Sequence, residues 1–182
     1  MKDIRRGCLL KGYVQVYTGN GKGKTTAALG LAFRAMGRGM RTYIGQFMKG
    51  QLYGELDAAR LVPDFITIEQ YGKDTLIHVK SPPDPEDVRM AQAGLAKATA
   101  AMLSGGYDII VLDEITTAHY FHLVNLDDMV GIIARKPENV ELVFTGRYAP
   151  KELIDAAHLV TEMREVKHYY REDVPARDGI ER

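Results

Sequence analysis

The chain has 182 residues, which fits one domain of ordinary size and is long enough to bury roughly 70% of its unfolded surface without disulfide staples. Lys plus Arg and Asp plus Glu stand at 24 each, so the net charge is zero and the basic excess of a dedicated nucleic-acid binder is missing. One cysteine, Cys8, excludes an internal disulfide and a thiolate metal cluster, and it suits a reducing, cytoplasmic setting.

Residues 1–12, MKDIRRGCLLKG, form a charged N-terminal segment without the apolar run of a secretory signal. No stretch approaches the ~18 apolar residues of a membrane span, so a soluble protein with no membrane partner is expected. Tyr13–Thr18 alternates in polarity and is rich in β-formers, which predicts a first strand. A glycine-rich turn follows, then an apolar helix over Lys24–Met36, closed by Gly37 and Gly39 as left-handed caps. Phe33, Met36 and Met40 are expected in the core. Arg41–Phe47 reads as a second strand, Met48–Glu55 as the loop beyond it, and Phe65–Gln70 as a weaker third strand.

Asp84 reads as an N-cap, with Pro85 in the first helical position and Glu86 and Asp87 at the positive end of the helix. The helix then places Val88, Ala91, Leu95, Ala98 and Met102 on one face. Tyr107–Asp113 is apolar through its middle, as expected of a strand covered on both sides. His119 and His122, three apart, fit one helical face in packing or surface roles. Asn125 caps a further helix ending before Pro137, and Val140–Thr145, Pro150–Ala156 and His158–Met163 read as strand, helix and strand. From Lys167 a polar tail, 167–182, shows no clear period, and His168, Tyr169 and Tyr170 suggest that it docks. Strands alternating with helices imply a single α/β domain over 1–182, with a mostly parallel sheet flanked by helices.

The decisive segment is Thr18, Gly19, Asn20, Gly21, Lys22, Gly23, Lys24, Thr25 and Thr26. It lies between a strand and a helix, the context of a phosphate-binding Walker A loop. Its glycines let successive N–H groups point inward as an anion nest, and the helix adds its positive end. Lys24 is placed for the outer phosphates and the Thr25 hydroxyl for Mg²⁺ (or Mn²⁺). Thr18 stands where the motif usually has its first glycine. Asp113 and Glu114 end the apolar run IIVLDE, as the Walker B acid does, and complete a metal set of Thr25, Asp113 and Glu114. Arg147, after the strand VELVFT, has the guanidinium geometry that suits a phosphate. Lys49 and Glu55 are open between ligand contact and a solvated loop. The residues alone reach as far as a Mg–nucleoside triphosphate site. A RecA-like ATPase or kinase, with Glu114 orienting water, and a nucleotide-sensing module both remain compatible with them.

The segments VYTGNGKGKTTAALGLAFRAMGRG, QFMKG with Gly54-Glu55, IIVLDEIT, FTGR and EMREVKH resemble, in this order, the P-loop-type ATP:corrinoid adenosyltransferases. The match runs from about Tyr13 to His168, and Thr18 at the first loop position is what that family carries. The resemblance implies a RecA-like P-loop fold and transfer of the 5′-deoxyadenosyl group of ATP to the cobalt of a reduced cob(I) corrinoid, with triphosphate leaving. It implies ATP bound by the loop residues Thr18–Thr26 in a reversed orientation, and catalytic roles for Lys24, Glu114 and Arg147. Lys49, Gly50 and Glu55 would help form the corrinoid pocket. A homodimer and an electron-donor protein that reduces the cobalt are further expectations. Some relatives carry a Phe/Trp pair that displaces the lower cobalt ligand. Here Tyr71-Gly72-Lys73-Asp74 stands in that region, and the chain has no tryptophan.

Overall fold

The computed structural model describes residues 7–74 and 82–182, so the first six residues of the N-terminal segment lie outside the described residues. The strands are β1 (Val14–Thr18), β2 (Thr42–Phe47), β3 (Ile66–Tyr71), β4 (Ile109–Asp113), β5 (Glu141–Thr145) and β6 (Leu159–Glu162). The helices are α1 (Lys24–Met36), α2 (Gly54–Arg60), α3 (Pro85–Leu103), α4 (Ile115–Tyr120), α5 (Leu126–Ala134) and α6 (Lys151–Ala156). The sheet order is β3-β2-β4-β5-β1-β6, and every pairing is parallel. This is the RecA-like P-loop arrangement that the alternation of elements and the resemblance implied.

Period-two alternation explains why both faces are covered. In β4, Ile110 and Leu112 join one apolar cluster, while Ile109 and Val111 join the other. The first cluster packs against Ala91, Leu95, Ala98 and Met102 of α3 and against Met129 and Ile132 of α5. The second packs against Ala28, Ala32 and Ala35 of α1. Small alanines let α1 approach the sheet closely, and this corrects the expectation for Phe33. That ring is 69% exposed, because the alanine stripe, not the larger residues, faces the strands. Met36 and Met40 are half-buried.

Three further expectations are revised. Gly54 and Glu55 belong to the first turn of α2 instead of the preceding loop. That helix has no apolar stripe long enough to announce itself. Gly37 is right-handed, and the left-handed residue is Gly39 (φ 74°). His119 lies in α4 with Nδ1 3.0 Å from the Val124 carbonyl, whereas His122 is past the helix end with φ 61°. The two histidines therefore do not share a helical face. The tail contains a short 3₁₀ turn, Tyr169–Glu172, and docks through Tyr169, while Tyr170 is exposed. The Asp84 cap is present, its carboxylate accepting the Glu86 N–H at 2.8 Å. Strand ends differ from expectation by one or two residues.

Register brings the carboxyl ends of the strands into line. Thr145 lies beside Tyr17, Asp113 beside Gln46, Phe47 beside Tyr71, and Thr18 beside Glu162. In an open parallel sheet this is the edge at which ligands bind.

Candidate functional site

The loop between β1 and α1 is shaped by its glycines and braced by the end of β6. Gly19 has φ 97°, a conformation that side chains rarely adopt, and a Cβ there would lie 2.4 Å from the Met163 carbonyl oxygen. The Gly21 N–H donates to the same Met163 oxygen at 2.7 Å. The segment after β6 therefore fixes the loop. Lys24 is 6% exposed and donates to the Gly19 and Gly21 carbonyls at 2.7 and 2.8 Å. Its ammonium curls over the mouth of the nest. Burial pushes its pKa down; the charges of Glu114 and Asp113 oppose that, and Arg147 reinforces it.

Asp113 is the hub of the site. It is completely buried, and buried charge is tolerable only when it is well paired. Oδ1 accepts from Thr25 Oγ1 at 2.8 Å and from Thr145 Oγ1 at 2.7 Å. Oδ2 accepts from Lys49 Nζ at 2.9 Å and from Gln46 Nε2 at 3.4 Å. Donors from α1, β5, β2 and the loop after β2 thus converge on one carboxylate. Thr145 matters because β5 lies beside β4, so its hydroxyl bridges the Asp113 carboxylate to the Glu114 N–H.

Glu114 follows in the left-handed region, φ 61° and ψ 17°. Its N–H donates to Thr145 Oγ1 at 3.0 Å, and its carboxylate accepts from Thr117 Oγ1 at 2.6 Å. Thr117 Oγ1 also accepts the Arg147 N–H at 2.8 Å, which ties Glu114 to the turn after β5. In that turn Gly146 has φ 137°, and a Cβ would sit 2.4 Å from Thr116 Oγ1. The close approach of α4 to this turn requires glycine.

Lys49 and Glu55, open in the sequence, enter the same array. Lys49 Nζ lies 3.8 Å from Glu55 Oε1, and Gln46 Nε2 donates to that oxygen at 3.0 Å. Burial acts against the Lys49 charge, but the carboxylates of Asp113 and Glu55 outweigh it and raise the pKa. The two lysines of the site therefore shift in opposite directions. Gly50 packs on the backbone at Gly72 and Lys73. Tyr71 faces the interior, 2.5 Å from the Tyr43 hydroxyl and packed against Gly94 of α3.

Lys22 turns away from the nest. Its ammonium donates to Glu181 Oε1 at 2.8 Å, to the Ile180 carbonyl at 3.2 Å and to Tyr169 Oη at 3.0 Å. Asn20 and Thr26 are exposed at the loop's edge, and Asn20 and Arg147 line a cavity of ≈420 Å³. Thr145, Gln46 and Thr117 are site residues to which the sequence reading gives no role. Thr145 and Gln46 are polar residues at the ends of apolar strands, a signal that could have found them, whereas Thr117 lies inside α4 and carries no such signal.

A phosphate loop joined through Thr25 to a buried aspartate one strand beyond its neighbour is a nucleotide-binding arrangement. The family model described as "ATP:corrinoid adenosyltransferase BtuR/CobO/CobP" matches residues 10–182. The chain belongs to this family. It is 32% identical over 172 residues to the corrinoid adenosyltransferase of Pseudomonas aeruginosa, covering 94% of this chain and 84% of that one. Identity to the corrinoid adenosyltransferase of a Sinorhizobium species is 34% over 178 residues, covering 94% and 80%. The Escherichia coli K12 corrinoid adenosyltransferase is 29% identical over 171 residues, covering 94% and 86%.

Proposed function

We propose that this chain transfers the 5′-deoxyadenosyl group of ATP to the cobalt of a reduced cob(I) corrinoid and releases triphosphate. The observation that carries this reading is the array Lys24, Thr25, Thr145 and Asp113 at the sheet edge of a member of the adenosyltransferase family. In this reaction the cob(I) substrate is itself the nucleophile. Its electron pair forms the bond to the 5′-carbon, and the carbon–oxygen bond to the phosphate chain breaks. No side chain has to act as nucleophile or base. The protein's work is positioning the two substrates and stabilising the charge that grows on the phosphate chain.

The residues suit that division of labour. Lys24 exchanges the Gly19 and Gly21 carbonyls for phosphate oxygens, and the loop N–H groups apart from that of Gly21, which is held by Met163, surround the chain. Arg147, whose charge already bears on Lys24, adds a second cation. Thr18 and Thr26 border this set and Asn20 closes its edge. Thr25, Asp113 and Glu114 are hard oxygen donors of the kind that fit Mg²⁺ or Mn²⁺ beside phosphates. When bound, the cation would neutralise charge on the departing triphosphate. Lys49, Gly50 and Glu55 place the corrinoid next to Asp113, on the β2 side of the nucleotide. The reading also includes a homodimer, a separate electron-donor protein for the cobalt, and a cytoplasmic location. Nucleic acid and membrane are not partners, and among the described residues no helix is long and apolar enough to cross a membrane.

The test is incubation with ATP, Mg²⁺ and chemically reduced cobalamin. Adenosylcobalamin, recognised by its light-sensitive cobalt–carbon bond, and inorganic triphosphate should appear in equal amounts, and oxidised cobalt should give neither. ADP and phosphate released at a rate independent of corrinoid would support hydrolysis instead. Because Tyr71 is engaged in packing, corrinoids that already lack a lower ligand should react faster.

A further inference from the structure

Beside the phosphate loop, on the side away from Asp113, lies the ≈420 Å³ cavity lined in part by Asn20, Arg147, Arg164 and Arg171. Its volume is within the range of ligand clefts. The three guanidiniums come from three places: the turn after β5, the segment after β6, and the tail. Among the described residues, neither the Arg147 nor the Arg164 side chain has a hydrogen-bond or ion-pair partner. Arg171 is held by Glu165, which accepts from Nε at 2.8 Å and from Nη2 at 2.6 Å, leaving the other edge of the guanidinium free.

We propose that Arg147, Arg164 and Arg171 form an anion subsite that takes the distal phosphates of the nucleotide and the inorganic polyphosphate released from it. Three like charges gathered on one cavity, two of them unpaired, repel one another until an anion enters. Two carboxylates, Glu162 and Glu165, also line the cavity. One of them is spent on Arg171, and the balance of the lining stays cationic. A purine base is poorly served there. The one aromatic ring of the lining, Tyr148, is already stacked on Tyr120 with centroids 4.1 Å apart. Guanidinium groups match phosphate oxygens in shape and charge.

The subsite makes the C-terminal tail part of the nucleotide site. Arg171 is a tail residue, and the tail is pinned to the phosphate loop itself. Glu181 accepts from Lys22 at 2.8 Å and from Arg177 at 3.1 Å, and Tyr169 Oη also donates to it. The tail thereby holds Arg171 at the cavity while the loop holds the tail. This inference rests on the phosphate-loop reading of the site.

The experiment measures equilibrium binding to the full chain, with ATP, AMP and inorganic tripolyphosphate as probes and with R164A, R171A and R171K as variants. These side chains are exposed, so the fold should survive, and circular dichroism verifies that. ATP and tripolyphosphate should each weaken about tenfold in R164A and R171A, as expected for a lost charge-assisted contact. AMP should be unaffected, the losses should shrink at high salt, and R171K should recover part of the affinity. Equal weakening of AMP would place the nucleoside end in the cavity and overturn the assignment. Unchanged affinity for tripolyphosphate would overturn it too, and a loss for tripolyphosphate alone would overturn the claim on ATP. Because the readout is binding, failure of adenosylation would not touch this result, and failure of the subsite would leave adenosylation standing.

Discussion

Replacing Thr145 by valine removes one oxygen from the centre of the site while preserving its shape. The hydroxyl donates to Asp113 Oδ1 at 2.7 Å and accepts the Glu114 N–H at 3.0 Å, and the residue is fully buried. A hydrogen bond to a charged group contributes about 1.5–3 kcal/mol, and an orphaned N–H costs about 1 kcal/mol more. The added methyl returns about 0.8 kcal/mol of apolar burial. The net destabilisation should therefore be about 2–3 kcal/mol, a fall in melting temperature of roughly 4–12 °C for a chain of this length. Thr145→Ser keeps the hydroxyl and loses only a buried methyl, so it should stay within about 1 kcal/mol of the parent. Denaturant unfolding measures both variants, and ATP affinity measured in parallel reports whether Asp113 still faces Thr25. If valine and serine variants unfold alike, or the valine variant loses under about 0.5 kcal/mol, Thr145 does not hold the aspartate and the bridging argument fails.

Lys24→Ala should lower kcat/KM for ATP roughly 10–150-fold with the fold intact, since it deletes a charge-assisted phosphate contact; steady-state kinetics at matched substrate concentrations check this. Asp113→Asn should raise the Mg²⁺ needed for half-maximal rate by at least about tenfold, because an amide is a poor ligand for a hard cation; a metal titration reads it directly. Arg177, Lys22 and Tyr169 hold the Glu181 carboxyl well below the usual carboxylate range. A depressed carboxylate pKa stabilises the docked tail above the ordinary Glu value, and the contribution is lost as pH falls through the lowered one. Proteolysis of the tail should thus be constant between about pH 5 and 8 and faster below that range, whereas Glu181→Gln should be cleaved faster even at neutral pH.

The fold was legible where local rules and global packing agree. The loop Thr18–Thr26 has a pattern that only a strand-to-helix phosphate turn explains, and the apolar run before Asp113 has only one sensible place, the centre of a covered sheet. Phe33 misled because hydrophobicity predicts burial only when the helix face is known, and in α1 the alanines set that face. The helix α2 was hidden because seven residues with a half-exposed surface carry little periodic signal. The partners of Asp113 were hidden for a different reason. Gln46, Thr145 and Asp113 come together through sheet register between β2, β4 and β5, and register depends on pairings that no local segment encodes.

Those pairings also bear on the choice between transfer and hydrolysis. Hydrolysis uses a side chain that orients the attacking water, and Glu114 is the residue the sequence offers for it. In the structure that carboxylate is bonded to Thr117, which in turn anchors the Arg147 backbone. Its position braces the turn that carries Arg147. Asp113 is engaged by Thr25, Thr145 and Lys49, which hold it between the loop and the strand ends. What the edge of the sheet presents is a set of cations and N–H groups, with both acids bonded to neighbouring side chains. Such a site stabilises a leaving polyphosphate and leaves the attack on carbon to a nucleophile brought by the second substrate, as adenosyl transfer to a low-valent cobalt requires.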